Sequence, residues 1–216
     1  MSTLTGAEIA AAGLTDWAYL NGGLQTRLAT KKFATGLRLV DQIGAAAEAA
    51  NHHPDLDLRY PHLDIRLTSH DAGGVTNRDL ALARVISELA AAEGVAARPD
   101  VAKLVEFALD TPDAAAVRPF WRAVLDMREH GADGPDPDLR DDVLPSMWFQ
   151  HSGSEEPRQR FHLDLWVPPE VVEQRIAAAV SAGGVVVSDA EAPSYWVLAD
   201  AEGNKVCLCT WQDRDH

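Results

Sequence analysis

Cysteine, long apolar runs and clustered positive charge are all scarce in this sequence. Only 2 of the 216 residues are cysteine, too few for a disulfide scaffold, so we expect a protein of the reducing cytoplasm. No apolar run approaches the roughly 20 residues that a transmembrane helix needs. The first residues include neither a basic nor an apolar stretch, so we expect no secretory signal.

Acidic residues outnumber basic ones, with 33 Asp and Glu against 19 Lys and Arg, and the net charge is −14. No basic cluster or stripe is present, so neither nucleic acid nor an anionic membrane is an expected partner. Most of the acidic excess follows residue 98, which indicates two modules. Gly94 and Pro99 bracket the expected seam at residues 92–100 and predict domains over 1–96 and 100–216.

The first half has the pattern of an α+β domain. Asn21-Gly22-Gly23 is a strong hairpin signal. Thr76 and Asp79 have the spacing of a capping box at the start of a helix. The predicted elements are a short helix at 6–12, strands at 17–20, 24–28, 57–59 and 62–68, and helices at 31–51 and 76–92.

The second half repeats a strand–helix–strands unit of about 55 residues. We therefore predict two βαβββ modules, separated in part by a mobile acidic loop at 129–142 that is rich in Gly, Pro and Asp. The predicted elements are a strand at 101–109, a helix at 113–125, strands ending near 150, a strand at 160–166, a helix at 168–182, and strands at 184–188, 195–198 and 205–210.

Four of the eight histidines fall within nineteen positions, namely His52, His53, His62 and His70. An imidazole gives and takes protons near neutral pH, so this density indicates acid–base chemistry. Glu48 lies one helical turn before His52 and is placed to orient its ring. A zinc site is the alternative, but adjacent histidines seldom reach one ion and no His-x3-His pair is present. A satisfied or solvated pair of histidines at a helix end is the structural alternative.

The wider pattern resembles pterin-4a-carbinolamine dehydratase over about residues 5–92. The matching residues are Glu48-x-x-Asn51-His52-His53-Pro54-Asp55, Tyr60, and Ser69-His70-Asp71-x-Gly73-Gly74-x-Thr76-x-Arg78-Asp79. The resemblance implies a small antiparallel sheet backed by helices. It also implies loss of water from a 4a-hydroxytetrahydropterin to give quinonoid dihydropterin, with no required metal or organic cofactor. Ser69 and Asn51 depart slightly from the family, which usually has Thr and often Asp there.

The same resemblance assigns roles to individual residues. His52 and His70 are the expected acid–base pair, in either order, and His53 is expected to orient the pterin. Arg78 is expected to steady the substrate or the histidines, with Glu48 as a support. The expected substrate-binding residues are His53, Pro54, Ser69 and Asp71. His62 lies on a predicted strand, and we interpret it as structural.

Residues 101–212 resemble a glyoxalase-like domain of the vicinal-oxygen-chelate superfamily, through Phe120-Trp121, His162-x-Asp164 and the segment Asp200-x-Glu202-Gly203-Asn204. In members of this superfamily that use a metal, the ligands come from positions that match Glu106, Gln150, His162 and Cys207. A cysteine replaces the usual glutamate at position 207, and a thiolate is an odd partner in a site for a hard metal. We therefore expect a binding module without a working metal.

Three functions remain open from sequence. The first is a metal-independent pterin dehydratase carried by the N-terminal domain, acting on a small-molecule pterin as a homo-oligomer. The second is a metal-dependent lyase or dioxygenase carried by the C-terminal domain. The third is a binding or scaffold protein without catalysis. The paired histidines favour the first function over the third, because a scaffold has no need of them.

Overall fold

A computed structural model of the chain describes residues 2–131, 137–141, 144–152, 161–199, 203 and 205–214. The chain forms two compact units. Unit 1 comprises residues 1–103, 167–171 and 210–216, and unit 2 comprises residues 104–166 and 172–209. The boundary between residues 103 and 104 lies near the predicted seam. Unit 1 also includes the later segments 167–171 and 210–216, so no single point in the chain separates the two units. The limits 1–96 and 100–216 therefore stay a prediction.

Unit 1 is built on a four-stranded antiparallel sheet in the order β1-β2-β4-β3. The capping box predicted at Thr76 and Asp79 is present at the start of the third helix. The elements are α1 (Gly6–Ala11), β1 (Ala18–Leu20), β2 (Gly23–Leu28), α2 (Phe33–Ala50), β3 (Asp55–Arg59), β4 (His62–Leu67) and α3 (Asn77–Ala92).

The core of unit 1 lies between its sheet and the helices α2 and α3. Leu63, Ile65 and Leu67 of β4 are buried in it, as the alternation of that strand predicts. The helical spacing of apolar residues predicts a buried face on α2, formed by Phe33, Leu37, Val40, Ile43, Ala47 and Ala50. Ile43 and Ala47 are buried as predicted, together with Gly36 and Leu39. The prediction is wrong for Phe33 and Leu37, which are 47% and 54% exposed.

Unit 2 is built on an eight-stranded sheet in the order β10-β11-β12-β9-β5-β8-β7-β6. The elements are β5 (Leu104–Thr111), α4 (Ala114–Leu125), β6 (Arg128–His130), β7 (Asp138–Arg140), β8 (Met147–His151), β9 (Phe161–Trp166), α5 (Val172–Ser181), β10 (Val185–Ser188), β11 (Tyr195–Ala199) and β12 (Lys205–Cys209).

The two predicted βαβββ modules are both present in unit 2. In each module the first strand pairs in parallel with the last, as β5 does with β8 and β9 with β12. The modules meet where β5 pairs with β9 in antiparallel register. This pairing brings the first and last strands of both modules to the centre of one sheet.

Part of the predicted acidic loop at 129–142 is a strand pair instead. Its described residues contribute to β6 and β7, which pair in antiparallel register from Arg128↔Arg140 to His130↔Asp138. Residues 132–136 and 142–143 lie outside the described part, as do most residues of the predicted turn at 200–204. No helix in the described ranges combines the length and the apolar character that crossing a membrane requires.

Candidate active site

The two adjacent histidines face opposite environments because α2 ends directly before them. Asn51 adopts the left-handed conformation at the C-cap, with φ 47°, and the amide of His52 donates to the carbonyl of Ala47 over 3.1 Å. The chain then continues into β3, so successive side chains alternate in direction. The His52 side chain is 7% exposed, whereas that of His53 is 56% exposed.

His52 is held by a buried carboxylate from α3. Its Nε2 lies 2.7 Å from Oδ1 of Asp79, a residue with no exposed surface. An ionised carboxylate only accepts hydrogen bonds, so Nε2 carries the hydrogen and Nδ1 keeps its lone pair. Asp79 thereby orients the ring and leaves the other nitrogen able to take a proton.

The second oxygen of Asp79 ties the same carboxylate to the loop before α3. Oδ2 accepts from the hydroxyl of Ser69 over 2.7 Å and from the amide of Thr76 over 2.7 Å. Ser69, expected to bind substrate, is 1% exposed, and its hydroxyl is engaged in this network. The sequence predicts Asp79 as a helix cap and as part of the family motif, and it assigns the residue no role in holding His52. A charged side chain on the inward side of the first turn of an amphipathic helix is the pattern that indicates such a buried partner.

His70 lies in the tight turn between β4 and α3. The amides of Ala72 and Gly73 donate to the carbonyl of Ser69, and Gly73 has φ 72°, which glycine adopts without strain. His70 follows Ser69 directly and is exposed. Its ring has no hydrogen-bond or ion-pair partner among the described residues.

Arg78 and Asp71 form an ion pair beside His70. The guanidinium Nη2 donates to Oδ1 of Asp71, and this bond holds the pKa of the exposed carboxyl below its usual value. The Nε of Arg78 is buried and has no hydrogen-bond partner in the described structure. A buried donor without a partner costs free energy, so an acceptor that reached this atom would gain a hydrogen bond without displacing another partner.

Glu48 supports His53 and not His52, which corrects the expectation from helical spacing. Its Oε1 lies 3.1 Å from Nε2 of His53, and both side chains are exposed. The His52 ring points to Asp79 because the C-cap at Asn51 turns it away from the outer face of α2. Pro54 follows at the surface with intermediate exposure.

The structure thus brings the end of α2, the β4–α3 turn and the start of α3 together around one carboxylate. His52 bonds to Asp79, and His70 is joined by one peptide bond to Ser69, whose hydroxyl bonds to the same carboxylate. His62 stands apart on β4, with Nε2 3.6 Å from Asp64. The arrangement supplies a buried, oriented imidazole and an exposed imidazole from neighbouring segments, as acid–base catalysis requires.

A cavity of about 410 Å³ in unit 1 lies elsewhere. Its lining includes the apolar side chains of Ile9, Leu14, Trp17 and Leu24. None of the predicted site residues is part of its described lining. The histidine cluster is therefore a surface site and not part of this cavity.

In unit 2 the carboxylate of Glu106, one of the side chains expected to hold a metal, is bonded to other groups. The Oε2 of Glu106 accepts from the indole N–H of Trp166 over 2.7 Å, and its Oε1 accepts from Ser146. Asp164, opposite Glu106 in the β5–β9 register, accepts from the indole N–H of Trp148 over 3.0 Å. Burial raises the pKa of Asp164 above its usual value.

Two family models match separate parts of the chain. Residues 2–89 match the family model of pterin 4 alpha carbinolamine dehydratase, and residues 106–209 match that of the glyoxalase-like domain. A protein of Chloroflexus aurantiacus that bears the name pterin-4-alpha-carbinolamine dehydratase is 41% identical over 91 residues. The match covers 41% of this chain and 98% of the relative. One of Nocardia farcinica is 42% identical over 77 residues, covering 36% of this chain and 81% of the relative.

Solved structures match each half separately. A transcriptional coactivator/pterin dehydratase from Brucella melitensis is 28% identical with a TM-score of 0.40, covering 41% of this chain and 99% of that one. A glyoxalase/bleomycin resistance protein/dioxygenase superfamily member from Vibrio splendidus 12B01 is 14% identical with a TM-score of 0.36, covering 50% and 99%.

Proposed function

Because the chain belongs, through residues 2–89, to the pterin-4-alpha-carbinolamine dehydratase family, we propose that it dehydrates a 4a-hydroxytetrahydropterin to the quinonoid dihydropterin, as a hydro-lyase. The observation that carries the proposal is the buried 2.7 Å contact between His52 and Asp79 beside the exposed His70. It supplies two imidazoles with different environments for the two proton transfers of the reaction.

The reaction removes a proton from N5 and a hydroxide from C4a of the pterin. We assign the first transfer to Nδ1 of His52, because Asp79 fixes the hydrogen on Nε2 and stabilises the imidazolium that forms. The N–H electron pair then forms the C4a=N5 double bond as the C4a–O bond breaks. His70 protonates the departing oxygen, so the products are water and the quinonoid dihydropterin. Proton return from His52 through solvent to His70 restores both groups.

Four further side chains are assigned to substrate binding. The buried Nε of Arg78, which lacks a partner in the described structure, offers a donor to an acceptor on the pterin. His53 is exposed with its Nε2 on Glu48, and we assign its ring to orienting the pterin. Pro54 and Asp71 border the same surface, Asp71 through its ion pair with Arg78. Ser69 is assigned a role through the loop it holds.

The proposed chemistry needs proton transfer alone, so we expect no metal or organic cofactor in this step. Stopped-flow absorbance with the full chain and a freshly generated 4a-hydroxytetrahydropterin tests this, with and without a chelator. We expect acceleration over the uncatalysed reaction in both cases. No acceleration, or acceleration lost with chelator and restored by zinc, would overturn the proposal. The scarcity of cysteine supports a cytoplasmic setting for the activity.

We also propose that the protein forms a homo-oligomer. The sheet of unit 1 ends in β1 and β3 as edge strands, and Phe33 and Leu37 leave an apolar strip exposed along α2. A second copy of the chain would cover this strip. Light scattering at micromolar concentration should give a multiple of the chain mass, and Leu37→Asp should lower it. A monomeric wild-type protein would contradict the proposal.

A further inference from the structure

The four ligand positions that the glyoxalase-like resemblance implies do not converge as a set in unit 2. Both carboxylate oxygens of Glu106 accept hydrogen bonds from Ser146 and Trp166. Gln150 is exposed near the end of β8. Among the described histidine, cysteine and acidic residues, the one group whose ligand atoms converge is His162, Asp164 and Cys207, and Glu106 is not part of it.

We propose that unit 2 binds a zinc-class divalent ion through His162, Asp164 and Cys207. One ligand atom from each residue lies within 4.8 Å of the other two. Asp164 and Cys207 are register partners on the parallel strands β9 and β12, so their side chains share a face of the sheet. His162 lies two positions before Asp164 on the same strand and therefore on the same face.

The charges of the three residues suit a divalent cation. The Asp164 side chain is 11% exposed, and its ion-pair contact in the described structure is His162, with 3.6 Å between Nε2 and Oδ1. Cys207 is hydrogen-bonded to Asp164. An ionised carboxylate and a thiolate carry two negative charges, which a divalent ion neutralises inside the unit. The Cys207 thiol releases its proton to solvent as the ion binds.

Asp110 and Trp148 contact the proposed ligands His162 and Asp164 from outside the site. In metal sites such contacts orient the ligand side chains. Oδ1 of Asp110 lies 3.5 Å from Nδ1 of His162 and is buried without a hydrogen-bond partner in the described structure. This leaves Nε2 of His162 on the side of Asp164, in the carboxylate–histidine–metal order. The Trp148 ring stands edge-on to His162 at 5.7 Å, and its indole N–H bonds to Asp164.

The donor set also selects the kind of ion. A combination of imidazole, carboxylate and thiolate suits zinc or cobalt and disfavours magnesium. The cysteine that replaces the usual glutamate led us to expect no working metal. The structure supplies a carboxylate beside that cysteine, from Asp164. Three protein ligands leave a fourth tetrahedral position for water or a ligand, as in catalytic zinc sites.

Cobalt titration of the chelator-treated full chain tests the site. We expect one equivalent of Co²⁺ to produce visible bands together with a thiolate-to-cobalt charge-transfer band. Cys207→Ser should abolish that band. Cys209→Ser is the matched control, because Cys209 lies on the same strand but outside the ligand group, and it should keep the band. Asp110→Asn should weaken cobalt binding by about 10–100-fold, and Asp164→Asn by at least as much. Glu106→Gln is the matched acidic control and should bind within about twofold of wild type.

Three outcomes would overturn the proposal: no charge-transfer band at one equivalent, a band that depends on Cys209, or a band lost in Glu106→Gln. Thermal melting of each variant identifies a variant that fails to fold. A second test uses the wild-type chain alone and measures the rate at which Cys207 is alkylated, with the modified residue located by mass spectrometry. Zinc should slow this alkylation, and an unchanged rate would contradict the site. The dehydration rate of unit 1 should not change in Asp164→Asn, so the two proposals fail separately.

Discussion

Each unit holds a hydrogen-bonded carboxylate near the side chains proposed to carry its chemistry, but the two carboxylates have different consequences. In unit 1, Asp79 accepts from His52, Ser69 and the Thr76 amide, and the groups beside it keep atoms free for a substrate. In unit 2, Glu106 accepts from Ser146 and Trp166, which removes it from the expected ligand set. The residue types alone do not separate these cases, because each is an acidic side chain at a position with a family role.

The difference shows that a candidate functional residue is identified by its polar atoms that have no hydrogen-bond partner within the protein. His70 is exposed and without a polar partner in the described structure, and Nε of Arg78 is buried without one. The exposed ring of His70 can meet a substrate without breaking an existing bond. Glu106 accepts two hydrogen bonds and lies outside the group of His162, Asp164 and Cys207, whose ligand atoms converge.

The largest expected effect is on turnover by the two proposed acid–base histidines. We expect His52→Ala and His70→Ala each to lower kcat by about 10²–10⁴-fold with a smaller change in KM, because proton transfer acts in the transition state. His62→Ala is the matched control, since this histidine lies away from the network, and should leave both constants unchanged. Stopped-flow kinetics on the three variants checks this, and equal damage in His62→Ala would refute the assignment.

The next effect compares the buried carboxylate of Asp79 with the half-buried one of Glu106. Asp79→Asn should destabilise unit 1 by about 3 kcal/mol, because it breaks a buried pair and leaves His52 without its anionic partner. Glu106→Gln should cost unit 2 about 1–2 kcal/mol, since the amide oxygen still accepts one hydrogen bond. Hydrogen exchange read by mass spectrometry reports each unit separately. A larger loss in unit 2 would reverse the comparison.

A smaller effect on the kinetic constants is expected from the exposed pair of His53 and Glu48 than from the buried pair of His52 and Asp79. His53→Ala should raise KM several-fold with a smaller change in kcat, since its ring orients the substrate. Glu48→Gln should change either constant by no more than about twofold, because an exposed ion pair contributes roughly 0–1 kcal/mol. Steady-state kinetics decides, and a collapse of kcat in Glu48→Gln would show that this carboxylate takes part in proton transfer.

The smallest expected effect is a shift in the titration of Asp71. Arg78 lowers its pKa below the ordinary value of 3.8, so the ion pair stabilises the fold above that pH. The stabilisation is lost as the pH falls through the lowered pKa. In Arg78→Gln the pKa should rise back towards 3.8, as measured by carboxyl ¹³C NMR. Asp100, whose pKa is lowered by Arg98, is the control and should titrate as before.

Local patterns in the sequence predicted local structure well. The capping box at Thr76 and the alternation of β4 depend on residues two or three positions apart, and both are confirmed. Contacts between distant residues were beyond such patterns. His52 and Asp79 are 27 positions apart, and Glu106 and Trp166 are 60 apart. The partner of a charged side chain at these distances is set by tertiary packing.

The face of α2 shows the same limit within one element. Phe33 and Leu37 share their helical spacing with Ile43, but Ile43 is buried in the core and the other two are exposed. Periodicity predicted the helix and only part of its buried face. The family resemblance supplied the histidines, and it gave no indication of which carboxylate holds each one.

The central claim is that Asp79 makes His52 the base by fixing its hydrogen on Nε2. Heteronuclear ¹⁵N NMR of the imidazole in the full chain measures this directly at a pH where the ring is neutral. The account predicts a protonated Nε2 and a bare Nδ1 for His52, and a mixture of tautomers for the exposed His70. A hydrogen on Nδ1 of His52 would contradict it.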